Sequence, residues 1–238
     1  MIMQLHLGSL SVDVVRKPIK NVHLSVHPPS GRVRISAPSS MKPETIRLFA
    51  ISRLGWIKQQ QRKLQGQERE PAREYLDRES HYLWGRRYLL EVRETETRPS
   101  VELQHNRMVL SIRPGSRSDR RQEVLEAWYR SQVKSAVPPL LDRWQRLIGV
   151  EVERFFVRRM KTKWGSCNHC TGTIRLNTEL AKKPHDCLEY IVVHELAHLL
   201  EPTHNEHFTS LMDAFMPAWR DYRRALNQLP VPREDWKY

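Results

Sequence analysis

Apolar and polar residues alternate over the first part of the chain, which is typical of strands with one buried face. Residues 10–37 contain three such runs: Leu10, Val12 and Val14; Val22, Leu24 and Val26; Val33 and Ile35. Pro28-Pro29-Ser30-Gly31 predicts a turn, and we expect these strands to form a meander. Residues 81–112 show strand patterns again, with Asn106 at a turn. The first half of the chain is therefore predicted to be rich in β-structure.

The apolar period changes to that of a helix at Pro43, and helical patterns dominate the second half of the chain. A helix is predicted from Pro43 onward, and another from about Ser118 to Leu147, which Pro138-Pro139 should kink or split. Strand-like VERFFVRRM and TIRLN follow, and then helices over about 184–200, 206–215 and 218–229. The predicted fold class is α+β, with a β-rich N-terminal part before a mainly helical core that contains a small antiparallel sheet.

Charge divides the chain more sharply than apolar content does. The 238 residues include 40 Lys and Arg against 27 Asp and Glu, a net charge of +13. Residues 1–150 carry a net +12 and residues 151–238 a net +1. We predict a basic, β-rich N-terminal region with one helix at residues 1–115 and a second, mainly helical core at residues 116–238. The basic excess either binds nucleic acid, nucleotides or acidic substrates, or is a solvated surface without a partner.

Several classes of protein are excluded by composition. No stretch approaches the roughly 18 consecutive apolar residues of a membrane span, and the N-terminal MIMQLHLGSLSVDVV lacks the features of a secretion signal. Three cysteines, Cys167, Cys170 and Cys187, are too few for a disulfide scaffold. We expect a cytoplasmic protein with no membrane partner.

His194-Glu195-x-x-His198 carries the chemistry of this sequence. Positions four apart lie on one face of a helix, so His194 and His198 can both bind one Zn²⁺. Glu195 flanks the metal and suits a general base that acts on a zinc-bound water. The other residues of the predicted helix are largely apolar, which favours a metal site over two histidines without a shared role.

The third ligand is either His204 or His207. Pro202 ends the helix after His198, and a chain reversal at Glu201-Pro202-Thr203 can return His204 to the metal. The same six-residue gap occurs in H-E-x-x-H-x-x-G-x-x-H zincins, although Glu201 stands at the glycine position. We favour His204, which leaves His207 to orient a ligand or to stabilise the reacting oxyanion.

A second motif precedes His194-Glu195-x-x-His198 in the sequence. Trp164-Gly165-Ser166-Cys167, followed by the strand-like residues 173–177, predicts a hairpin. An edge strand beside the metal helix can bind an extended peptide as an additional strand, with Gly165 allowing close backbone approach and Trp164 packing on the helix. Cys167, Cys170 and Cys187, joined by His169 or His185, are also considered as a second, structural zinc site; unpaired thiols are favoured.

These residues closely resemble the YgjP-like metallopeptidase family, which is similar in its core to the SprT and WLM metallopeptidases. The resemblance rests on MKTKWGSC, GTIRLNTEL, LEYIVVHELAH, His204 and Phe208, and on RKPIKNVHLSVHPPSGRVRISAP and YLWGRRYLLEV in the N-terminal part. It implies a zincin-like core in which His194, His198 and His204 bind the metal and Glu195 is the base. Thr209 stands where the family has Trp after the Phe, a difference in packing more than in chemistry.

The sequence thus predicts a zinc metallopeptidase with one Zn²⁺ per chain that cleaves peptides or proteins. Candidates for stabilising the oxyanion are His207, Tyr190, Lys163 and Arg175. One alternative is a metal-dependent hydrolase of nucleotide phosphoanhydrides, although the chain has no Gly-rich phosphate loop. Another is a protease that acts on proteins held on nucleic acid, which would bind weakly through basic and aromatic residues at 56–58 and 84–87.

Overall fold

The computed structural model describes residues 2–27, 31–65, 73–160 and 163–228. These residues form two compact units, one within residues 1–71 and the other within residues 72–229. Each unit has its own hydrophobic core. The predicted turn at Pro28-Pro29-Ser30 lies outside the described residues.

The first unit contains one four-stranded sheet and two helices: β1 (Ile2–Leu7), β2 (Leu10–Lys17), β3 (His23–His27), β4 (Arg32–Pro38), α1 (Pro43–Ser52) and α2 (Leu54–Gln65). Alternation dictates the buried face, since Val33, Ile35 and Ala37 of β4 are buried whereas Arg32 and Arg34 are not. The strand order is β1-β2-β4-β3, with β2 and β4 parallel. The predicted meander is therefore wrong, because β4 pairs with β3 on one side and with β2 on the other.

The second unit begins with another four-stranded sheet: β5 (Ser80–Leu83), β6 (Arg86–Glu94), β7 (Ser100–Gln104) and β8 (Arg107–Ile112). Its order, β5-β6-β8-β7, repeats that of the first sheet, including the parallel pair of the second and fourth strands. Trp84 and Gly85 form the two-residue loop between β5 and β6, both with positive φ, which matches the twist of the hairpin.

A single long helix, α3 (Ser118–Ile148), follows this sheet and is not split at Pro138-Pro139. Its buried residues recur at helical spacing on both sides of the prolines: Leu125, Tyr129, Val133, Val137, Leu141, Trp144 and Ile148. Packing of this continuous stripe offsets the two backbone donors that the prolines lack.

The rest of the unit comprises β9 (Arg154–Arg158), β10 (Gly165–Asn168), β11 (Thr173–Asn177), a 3₁₀ helix (Thr178–Lys182), α4 (His185–Leu200), α5 (Glu206–Phe215) and α6 (Trp219–Gln228). The sheet order is β10-β11-β9, with β10 antiparallel and β9 parallel to β11. The α+β class is confirmed, but this small sheet is mixed instead of antiparallel, because β11 inserts between β10 and β9.

The boundary between the compact units differs from the predicted one. Leu90 and Met108 of the second sheet share a hydrophobic core with Val133 of α3 and Leu188 of α4. The change of pattern near residue 115 marks the start of α3 within this core. The units separate between residues 71 and 72.

No helix in the described parts of the chain is both long and apolar enough to cross a membrane. A cytoplasmic location stays a prediction.

Candidate metal centre

Helix α4 presents His194 and His198 on one face and buries most of its other residues. Nine of its residues are buried, all but one of them uncharged: Cys187, Leu188, Tyr190, Ile191, Val192, Val193, Glu195, Leu196 and Ala197. His194 and His198 are half-buried on the remaining face, one turn apart. The helix ends before Pro202, and the carbonyl oxygen of Glu201 lies 3.0 Å from His198 Nδ1. This contact fixes the ring so that Nε2 faces away from the helix end.

His204 completes a cluster of three imidazoles. Its Nε2 lies 2.9 Å from His194 Nε2 and 3.2 Å from His198 Nε2. The preceding turn is held by Glu201, whose Oε1 accepts from the Thr203 N–H at 3.0 Å and from the Thr203 hydroxyl at 2.8 Å. These donated bonds lower the pKa of Glu201 and keep its carboxylate charged.

The Phe208 ring packs against all three imidazole rings. Its ring centroid lies 5.0 Å from that of His194, 4.6 Å from that of His198 and 4.8 Å from that of His204. Asn205 caps α5 by accepting from the Phe208 N–H at 2.9 Å, which sets the start of the helix and hence the position of the ring. Phe208 entered the sequence patterns only as part of the family resemblance, and the signal for its place beside the rings was an Asn cap three residues before an apolar position.

The three nitrogens suit a tetrahedral zinc ion. Ligands about 2.0–2.1 Å from zinc lie roughly 3.3 Å apart in tetrahedral geometry, close to the observed separations. Burial lowers the pKa of His194 to about 3, helped by the neighbouring His198 and His204, so this ring is neutral and able to coordinate.

Glu195 lies beside this cluster on the face of α4 that packs against β10. Its side chain is buried, and a β carbon added to Gly165 would lie 2.5 Å from its Oε1. Burial raises the pKa of Glu195 to about 8, against the opposing charge of Lys163. Among the described residues, the group with converging ligand atoms contains the three histidines and not Glu195.

Among the strands that the structure describes, none pairs with the outer edge of β10. The Asn177 N–H donates to the Trp164 carbonyl at 2.9 Å, so these two residues form a hydrogen-bonded pair. Pairs alternate along an antiparallel ladder, which directs the backbone N–H and C=O groups of Gly165 and Cys167 toward the free edge. The edge next to Glu195 therefore offers backbone donors and acceptors.

Another charged residue near the cluster comes from α6. Trp219 stacks on Tyr190 of α4 with ring centroids 6.5 Å apart, and Tyr190 lies 5.8 Å from His194. The Arg223 guanidinium lies 5.8 Å from the Trp219 ring centroid, and its charge contributes to the lowered pKa of His194 and His204. Nothing in a helical pattern indicates which arginine of α6 contributes charge to a site on another helix.

The structure brings only some of the other sequence-predicted residues to the cluster. Lys163 is exposed and acts by charge on Glu195 and His204. Tyr190 is buried beside His194. His207 is exposed on α5 and outside the converging group.

Two other predicted site residues, Ser166 and Arg175, lie on the face of the small sheet that points away from α4. Ser166 and Arg175 are cross-strand partners, and they point to the opposite sheet face from Gly165 and Leu176. Trp164 is half-buried and packs against the core, with Lys183 Nζ 5.9 Å from its ring centroid. Trp84, one of the proposed nucleic-acid contacts, stacks instead on His185 at 4.0 Å.

The cysteines form no second metal site. All three are free; Cys187 is buried and Cys170 is exposed. Among the residues that the structure describes, the histidine triad is the only group of three or more potential ligands that converges. Burial raises the pKa of both Cys167 and Cys187 to about 11, which disfavours the thiolate that zinc requires.

Comparisons with known proteins identify the family of the chain. A family model described as YgjP-like, metallopeptidase domain, matches residues 20–229. Two crystal structures of metallopeptidase zymogens resemble parts of the chain: Pyrococcus abyssi abylysin (23% identity, TM-score 0.36, 41% of this chain and 99% of that one) and Methanocaldococcus jannaschii jannalysin (23%, 0.33, 40% and 94%). No curated protein matches. Since the family model spans well over half of the sequence, the chain belongs to the YgjP-like metallopeptidase family and is a metal-dependent hydrolase of peptides or proteins.

Proposed function

We propose that the chain is a zinc peptidase in which His194, His198 and His204 hold one Zn²⁺ and Glu195 is the general base. The observation that carries the proposal is the approach of three Nε2 atoms to 2.9 and 3.2 Å beside a buried carboxylate. Zinc, when bound, polarises a substrate carbonyl and lowers the pKa of water toward about 7.

Glu195 is suited to moving the proton of the reaction. With a cation held by the three histidines to offset the burial that raises its pKa, the carboxylate would accept a proton from the attacking water and then donate it to the leaving amide nitrogen, so one residue acts first as base and then as acid. Gly165 fixes the carboxylate from the side of β10, and the exposed Lys163 favours its charged form. Burial beside Gly165 limits the side chain to few rotamers, which keeps the acceptor oxygen near the metal ligands.

The free edge of β10 supports an extended peptide as the substrate. The N–H and C=O groups of Gly165 and Cys167 are positioned to pair with a peptide backbone that lies along this edge. Backbone pairing is independent of side chains, so we expect broad acceptance of sequence near the cleaved bond. An open pocket beside His204, lined by Asn205, Glu206, Thr209 and Ser210, offers a place for one substrate side chain.

Metal analysis combined with an unbiased cleavage assay tests this function. Purified protein should contain close to one zinc per chain and cleave a mixture of random peptides, as followed by mass spectrometry. A chelator should abolish cleavage and added zinc should restore it. Release of phosphate from nucleoside triphosphates with Mg²⁺ or Mn²⁺, but no peptide cleavage with zinc, would favour the nucleotide hydrolase instead.

A second candidate function is supported by the charge of the first unit. Residues 1–71 contain 12 Lys and Arg against 4 Asp and Glu, a net charge of +8 in less than a third of the chain. Such a concentration favours weak binding of nucleic acid through phosphate contacts, which would bring the peptidase to proteins held there.

Binding of a random-sequence DNA duplex, followed by fluorescence anisotropy at several salt concentrations, tests this second function. We expect the logarithm of the association constant to fall steeply with the logarithm of salt concentration. Absence of binding at low salt would leave the basic unit as a solvated surface.

A further inference from the structure

His204 differs from the other two histidines of the cluster in how its position is fixed. His194 and His198 lie one turn apart in α4, so the helix itself sets their spacing. His204 is exposed and belongs to no helix. It stands at the centre of a tight turn, in which the Asn205 N–H donates to the Thr203 carbonyl at 2.9 Å. The conformation of this turn therefore determines where the third imidazole lies.

The Glu201 side chain bonds to the residues on both sides of His204. Its Oε1 accepts from the N–H and from the hydroxyl of Thr203, at 3.0 and 2.8 Å. The side chain of Asn205 also hydrogen-bonds to this carboxylate. Asn205 in turn accepts from the N–H of Phe208, whose ring contacts the imidazoles. One carboxylate thus ties together the chain immediately before and immediately after the third histidine.

The backbone of Glu201 contacts a second histidine of the cluster. Its carbonyl oxygen lies 3.0 Å from His198 Nδ1, and its N–H donates to the Ala197 carbonyl at 2.9 Å to close α4. Its φ of −135° and ψ of 104° are extended values that any residue can adopt. The glycine of H-E-x-x-H-x-x-G-x-x-H zincins is therefore not required at this turn. The position can carry a side chain, and here that side chain reaches forward to the residues around His204.

We propose that Glu201 is a positioning residue whose carboxylate holds the turn at 201–205, so that His204 already lies beside His194 and His198 before the metal binds. This role rests on the proposed zinc site. A turn held in its final conformation loses less conformational freedom on binding the metal, which strengthens the binding. Glu201 itself is not a ligand: among the described residues, the group with converging ligand atoms does not include it.

Zinc affinity, measured by competition with a fluorescent chelator, tests this role without relying on turnover. E201A removes the acceptor and should raise the zinc dissociation constant by about 10- to 100-fold, the scale found for residues that orient metal ligands. E201Q keeps the oxygen that accepts both Thr203 bonds, so it should bind zinc nearly as tightly as the wild type. T203V loses one donor and should weaken binding by about threefold or more. E123A, which removes an exposed carboxylate of α3, is the matched control and should leave zinc affinity unchanged.

A double-mutant cycle with H204A shows whether Glu201 acts through the third histidine. In the H204A background E201A should add little to the loss of zinc affinity, because the turn then has no ligand to position. A fully additive loss, an equal loss in E201A and E201Q, or wild-type affinity in T203V would each overturn the positioning role while the zinc site stands. A wild-type protein that binds no zinc would overturn the proposed function, and this role with it.

Discussion

Gly165 of β10 and Glu195 of α4 are in such close contact that a β carbon at position 165 would force the Glu195 side chain to move. A methyl group there would lie 2.5 Å from Glu195 Oε1 and 2.9 Å from both Cγ and Cδ of the same side chain. The edge strand and the candidate base therefore pack directly against each other at this position.

Replacing Gly165 with Ala should separate these two elements. We expect loss of about 1–3 kcal/mol in unfolding free energy, the usual cost of overpacking, and a large fall in peptide cleavage. Urea denaturation and a cleavage assay measure the two effects. G55A is the control, since no atom lies within 4 Å of the added β carbon and its helical position should gain about 0.5–1 kcal/mol. Full activity in G165A would show that Glu195 tolerates displacement.

Replacing Glu195 with Gln removes the base and preserves the shape of the side chain. Because Glu195 is not among the converging ligands, zinc content and melting temperature should stay near those of the wild type. Cleavage should fall by about 10²-fold or more, the scale of lost general-base catalysis. E123Q, at an exposed position of α3, serves as the control. A variant that loses its zinc would make Glu195 a part of the metal site instead.

His204 and His207 should differ in their importance for metal binding. The imidazole of His204 lies 2.9 Å from that of His194, whereas His207 is outside the cluster. H204A should lose most of its zinc during dialysis, as measured by atomic emission, and H207A should retain it. The reverse ranking would move the third ligand to α5 and require a different turn after His198.

Phe208 should stabilise the fold and the cluster together. Its ring is 3% exposed and contacts all three histidines, so F208A leaves a cavity directly beneath them. We expect a cost of about 3–5 kcal/mol in unfolding free energy and weaker zinc binding. F208L should be milder, and F156A, at a ring that is 47% exposed on β9, should change neither quantity. Normal zinc affinity in F208A would limit the role of the ring to packing.

The sequence predicted the local elements well because they depend on local periodicity. The boundaries of α4 and α5 follow from apolar spacing, from Pro202 and from the position of Asn205, all of which act within one turn. The convergence of His204 with His194 also follows from a short reversal that proline enforces. Residue spacing along one helix and one turn was therefore sufficient to predict that these histidines lie close together.

Pairings between distant segments were beyond the reach of the same patterns. Alternation gives the face of a strand but not its neighbour, so the parallel pairs β2–β4 and β6–β8 could not be foreseen. The polar sequence KQQQRKLQGQERE at 58–70 was the available signal for the boundary after residue 71. The stacking of Trp219 of α6 on Tyr190 of α4 is likewise a contact across helices that no spacing encodes.

The two separate cores imply that the chain melts in two steps. Val12, Val33 and Ile57 belong to one core, while the helices that carry the histidines belong to the other. Cooperative unfolding extends only as far as a shared core, so calorimetry should resolve two heat-absorption peaks. Zinc at a thousand times its dissociation constant would add about 4 kcal/mol to the second core alone. The melting temperature of the second unit would therefore rise with metal concentration while that of the first stays fixed. The basic unit would thus serve as an internal reference for metal binding by the catalytic unit.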